Sequence, residues 1–80
     1  MALKLVFLGR LEDVAGGAER AIPLVSTIDA AIAALEPALA QALTGPRVKL
    51  AINGVLLRGR ETPPLADGDE IAFLPPVSGG

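Results

Sequence analysis

The sequence predicts an α+β domain, with a sheet of about five strands and one main helix packed on one face, and three observations point there. Short apolar segments at strand period fall on either side of a single stretch at helical period. Turn residues separate the strand segments at hairpin spacing. The chain has 80 residues, room for one small core. Residues 1–74 are assigned to this domain and residues 75–80 to an extended, mobile tail.

Leu3 to Leu8 is rich in apolar and aromatic residues, stops at Gly9, and reads as the first strand. Arg10 to Val14 has the length of one helical turn, Gly16-Gly17 supplies a turn, and Glu19 to Leu24 reads as a second strand in a hairpin with the first. Ser26 or Thr27 caps the helix, in which Ile28, Ala31, Ile32, Leu35 and Leu39 recur on one face. Pro37 interrupts that pattern, so the main helix is expected to end near Glu36, with a short second turn through Ala38 to Leu43 and a close at Gly45-Pro46.

Val48, Leu50 and Ile52 alternate with Lys49 and Ala51, the period of a half-buried strand. Asn53-Gly54 is a two-residue hairpin signal before Val55-Leu56-Leu57. Arg58 to Pro64 is polar and proline-bearing, hence a loop, and Asp67-Gly68-Asp69 is turn chemistry ahead of a last strand, Glu70 to Leu74.

Composition narrows the function. Seven basic and nine acidic residues give a formal charge of −2 without a basic run, which argues against a nucleic-acid partner. With neither Cys nor His, the chain lacks thiolate nucleophiles, disulfides and the commonest general base and metal ligand. A self-contained enzyme is not expected, and no bound cofactor or metal is assigned. Asp67 and Asp69 flank Gly68 as turn residues rather than as a metal site, and Arg58 and Arg60 are given no role. No segment has the length of a membrane span, and a cytoplasmic location is expected.

Both faces of the first and last strands are apolar, although one helix covers only one face. The face bearing Phe7 and Phe73 is assigned to the helix, because the largest side chains gain most from burial. Leu8, Leu56 and Leu74 are left on the other face as candidate partner-binding residues. The last strand leads into Pro75-Pro76-Val77-Ser78-Gly79-Gly80. Two prolines favour an extended arm that could carry its end on the order of 15 to 20 Å from the sheet. Glycine at 79 and 80 puts no Cβ beside the last carbonyl, so the arm could enter a narrow tunnel.

The block from Asp67 to Gly80, Asp-Gly-Asp-Glu-Ile-Ala-Phe-Leu-Pro-Pro-Val-Ser-Gly-Gly, resembles the end of the small sulfur-carrier subunit of molybdopterin synthase, and more distantly the thiamin-pathway sulfur carrier and ubiquitin. Leu5 to Gly16 and Leu50 to Gly54 resemble the same family's first strand, following turn and hairpin. The resemblance implies a ubiquitin-like β-grasp with a mixed sheet. It further implies that an adenylating enzyme related to ubiquitin-activating enzymes uses ATP and magnesium to activate the Gly80 carboxylate. A sulfur donor protein then converts it to a thiocarboxylate, with Gly79 beside the reacting carbonyl. The large, catalytic synthase subunit would receive the arm, contacted by Pro75, Pro76, Val77 and Ser78, and pass sulfur to a pterin precursor. This chain would be a charged cosubstrate whose partners hold the catalysis.

The chain departs from the family in two places. Leu8 and Leu74 stand where members often carry the second aromatic of a pair, and Glu12-Asp13 stands where Arg-Glu is common. Three other readings stay open: a thiamin-type carrier, a ubiquitin-like protein modifier joined through Gly80 to a target lysine, and a β-grasp binding module that uses its exposed face alone.

Overall fold

A computed structural model describes residues 1–45, 47–58 and 63–75. The elements follow in the order β1 (Ala2–Phe7), α1 (Leu11–Ala15), β2 (Glu19–Pro23), α2 (Ile28–Ala33), α3 (Pro37–Leu43), β3 (Lys49–Ile52), β4 (Val55–Leu56) and β5 (Glu70–Leu74). The five strands form one mixed sheet in the order β2-β1-β5-β3-β4. β1 pairs antiparallel with β2 and β3 with β4, so both hairpins expected from the turns are present. The central pair, β1 with β5, is parallel, and β5 runs antiparallel to β3. The first and last strands thus occupy the sheet centre, where strands apolar on both faces belong.

The helical layer differs from the sequence expectation in its division. α2 stops at Ala33 rather than near Glu36, and the chain re-enters a helix at Pro37. Proline acts here as a start. Its fixed φ and missing N–H suit the first helical position, and its ring pushes Glu36 to an extended ψ of 146°. The α2 start is as expected: the Thr27 hydroxyl accepts a hydrogen bond from Ala30 N at 3.1 Å. Arg20 on β2 fastens the break in this layer to the sheet, donating to the Ala15 carbonyl at 2.8 Å and pairing with the Glu36 carboxylate. That contact draws the Glu36 carboxyl below its ordinary range.

The core lies between the sheet and the helices. Leu3, Leu5 and Phe7 of β1 and Ile71 and Phe73 of β5 are fully buried against Leu11, Ile28, Ile32, Leu35, Leu39 and Leu43. Phe7 and Phe73 face each other across the parallel pair, ring centroids 5.6 Å apart and planes inclined by 10°. They stack on the helix side, the face assigned to them for their size. No buried side chain among the described residues is polar, so apolar packing holds this core together.

Candidate functional site: the open sheet face and the root of the C-terminal arm

The strand register specifies the face opposite the helices. Val6 of β1 is level with Ala72 of β5, Ala72 with Ala51 of β3, and Ala51 with Leu56 of β4. One step toward the end of β5, Leu74 is level with Lys49, and Leu8 follows β1 on the other side. The result is an apolar band with only methyl groups at its middle and leucines at its margins. Leu56 is 54% exposed and Leu8 40%, while Leu74 and Val6 are half-buried. At the opposite end of the face Lys4 reaches Glu19 at 3.3 Å and Glu70 at 3.8 Å. These exposed pairs add little stability but mark where the apolar band ends.

Leu8, Leu56 and Leu74, separated in the sequence, come together on this one face. Lys49 beside Leu74 was not singled out from the sequence, because cross-strand neighbours follow from register rather than local pattern. The remaining candidates, Pro76, Val77, Ser78, Gly79 and Gly80, lie outside the described residues, as does Arg60.

The arm's root is described at Pro75. Leu8 N donates to the Phe73 carbonyl at 3.1 Å, so the chain beyond β1 stays beside the chain leaving β5. The next residue, Gly9, has φ +55°, and a Cβ there would stand 2.8 Å from Pro75 Cγ. Glycine is therefore required twice, by the left-handed backbone and by the close approach of Pro75. A Gly directly after an apolar strand was the only sequence signal for this contact.

The other end of β5 is pinned by the Asp67-Gly68-Asp69 turn. Asp67 Oδ1 accepts from Ala2 N at 2.8 Å, and Gly68 N donates to the Ala2 carbonyl at 2.8 Å. Asp69 accepts from Ala66 N at 2.9 Å and from Asn53 Nδ2 at 3.0 Å, while Asn53 Oδ1 accepts from Glu70 N at 3.0 Å. The Ala66 N–H, with the Asn53 amide, holds the Asp69 carboxyl below its ordinary range. Asn53 itself has φ +51° and Gly54 +83°, the two left-handed residues of the tight hairpin. The turn and the hairpin together fix β5 in register between β1 and β3, and so fix the direction in which Pro75 leaves.

Among the described residues no group of three His, Cys, Asp or Glu side chains could hold a metal ion. No described helix is long and apolar enough to cross a membrane.

Comparison with known proteins agrees with this architecture. The profile of the ThiS family matches residues 5–80. The molybdopterin synthase sulfur carrier subunit of Chlamydomonas reinhardtii is 32% identical over 85 residues, covering 100% of both chains. The crystal structure of SAMP1 from Haloferax volcanii superposes with a TM-score of 0.81 at 27% identity over 100% of both chains. A Helicobacter pylori chain from the complex of subunits 1 and 2 of molybdopterin-converting factor does so at 0.69 and 28%, again over 100% of both. With the β-grasp topology, the terminal block and these full-length matches in agreement, the chain belongs to the ThiS family and is a homologue of the molybdopterin synthase sulfur carrier subunits.

Proposed function

We propose that this chain is a sulfur carrier for molybdopterin synthesis, acting through the carboxylate of Gly80 and docking on its partners through the open sheet face. The observation that carries the reading is the dual place of β5. It forms the middle of the apolar band and leads straight into Pro75, so a protein covering the band also receives the arm. Its homology to sulfur carrier subunits supports the same chemistry. The second subunit in the Helicobacter complex supports a large synthase subunit as partner.

In this reading the Gly80 carboxylate attacks the α-phosphorus of ATP in the adenylating enzyme, releasing pyrophosphate. Magnesium there neutralises phosphate charge. The acyl-adenylate then loses AMP to the terminal sulfur of a donor persulfide, and a thiol cleaves the resulting S–S bond to leave the thiocarboxylate. Inside the large subunit the thiocarboxylate sulfur bonds to a carbon of the pterin precursor, and water then hydrolyses the resulting thioester, leaving sulfur on the pterin and restoring the Gly80 carboxylate. Gly79, with no side chain, lets the reacting carbonyl enter a narrow active site. Pro75, Pro76, Val77 and Ser78 are the arm residues that the large subunit contacts in this reading. In this reading the chain works in the cytoplasm with those partners.

Deleting Gly80, or adding one residue after it, should abolish sulfur transfer without changing the thermal melt. Retained synthase activity with an uncleaved extension would overturn the reading. The likeness to SAMP1, a small archaeal modifier protein, favours a second reading in which Gly80 is joined to lysines of other proteins. Lysine-linked conjugates isolated from cells, in place of a thiocarboxylate, would select it.

A further inference from the structure

On the helix side of the molecule an apolar groove of about 460 Å³ opens between α1 and the segment joining α3 to β3. Leu11, Val14, Ala42 and Val48 give it an apolar lining, and Arg10 and Arg47 stand exposed along it. Val14 is 48% exposed, an apolar residue that neither the core nor the open sheet face accounts for. Arg10 at the N-cap and Leu11 and Val14 within α1 line the groove, whereas Glu12 and Asp13 do not. The groove therefore carries two positive charges and no negative one in a chain of net charge −2. Neither guanidinium group has a hydrogen bond or ion pair among the described residues. A second groove, beside Lys4, Glu19 and Arg20, differs: Lys4 is already paired with Glu19 and Arg20 with Glu36.

The residues that line the groove neighbour those at the arm's root. Arg10 follows Gly9, against which Pro75 is seated, and Val48 precedes Lys49, which is level with Leu74. A protein that draws the arm into its active site must bring its surface up to this groove.

We propose that the groove is a second docking site for the large synthase subunit, occupied by a segment that places an apolar side chain on Leu11, Val14 and Val48 and carboxylates on Arg10 and Arg47. An isolated anion would leave the apolar lining unused, and an uncharged apolar segment would leave two guanidinium groups facing it unpaired. Only the combination satisfies both, and each arginine can grip a carboxylate through two N–H groups. The docking rests on the arm entering that subunit, and it makes the interface two-sided, one part on the sheet face and one on the helix side.

The test is calorimetric titration of the cognate large subunit with the wild-type chain, with Arg10→Glu/Arg47→Glu, with the volume-sparing Arg10→Gln/Arg47→Gln, and with Leu74→Glu. Both arginine variants should keep the wild-type melt. At low salt the Glu pair should weaken binding by about 30-fold or more and the Gln pair by less, with both deficits shrinking near 0.5 M salt as screening removes the charge contribution. The Leu74→Glu deficit should persist at both salt concentrations. Unchanged affinity in both arginine variants, with Leu74→Glu impaired, would overturn the groove while leaving the sulfur-carrier reading intact. No binding by the wild-type chain would overturn that reading and the groove with it.

Discussion

Phe73 and Leu74 are neighbours in the chain on opposite faces of the sheet, so truncating the first and charging the second should damage different properties. Phe73 is fully buried and stacked on Phe7 at 5.6 Å. Phe73→Ala should cost about 3–5 kcal/mol through lost burial and the cavity left behind. A domain of this size holds only about 4–12 kcal/mol in total. At about 4–8 °C per kcal/mol, the Tm should fall by at least about 12 °C, and the chain should be largely unfolded if its stability is at the lower bound. Leu74 is half-buried, and its cross-strand neighbour is Lys49. A carboxylate at 74 would face that ammonium, so Leu74→Glu should change stability by no more than about 1 kcal/mol. It should nevertheless remove the chain from the large subunit, because the interface would enclose a charge among apolar side chains. Thermal melts with partner pull-down of both variants read the two effects separately. A native melt for Phe73→Ala together with an unfolded Leu74→Glu would refute the face assignment, and normal binding by Leu74→Glu would place the interface elsewhere.

Thr27→Ala removes the hydroxyl that caps α2 and should cost about 1 kcal/mol, read as a Tm lowered by about 4–8 °C with partner affinity unchanged. Gly9→Ala should cost about 1–2 kcal/mol from its left-handed backbone alone and should also displace Pro75. Adding Pro75→Ala should recover part of that loss, and strict additivity in the double variant would show that the contact carries no energy. Asp69, held below its ordinary pKa by the Ala66 N–H and Asn53, contributes stability that is complete above the unfolded carboxyl value near 4 and is lost as pH falls through the lower folded value. The Tm gap between wild type and Asp69→Asn should accordingly be widest near neutral pH and close on acidification. A gap independent of pH would count against the hydrogen-bonded carboxylate.

Sheet and hairpins were legible in the sequence because their signals are local. Asn53-Gly54 demands two left-handed residues, and the structure places both there. The apolar character of both faces of β1 and β5 marked them as central, and the two phenylalanines identified the buried side. Pro37 illustrates the limit of that reading. As a break it was evident, yet whether a proline ends one helix or begins the next depends on what the following turn packs against, here a core that takes Leu39 and Leu43. At the site, alternation alone gathered Leu8, Leu56 and Leu74. Lys49 beside Leu74, Pro75 over Gly9, Asn53 on Asp69 and Arg20 on Glu36 all join residues 16 or more apart, and such contacts follow from register and topology. The groove of Arg10 and Arg47 was not legible for the same reason, since 36 intervening positions separate its charges in the sequence.

Intact-protein mass measurement, after incubation with the cognate adenylating enzyme, ATP, magnesium and a persulfide-bearing sulfur donor, tests the central claim most directly. The chain should gain the mass difference of one sulfur for one oxygen, fragmentation should locate that change at Gly80, and the gain should disappear when ATP is omitted. An unchanged mass, under conditions where the same enzyme and donor charge a control carrier, would contradict the account.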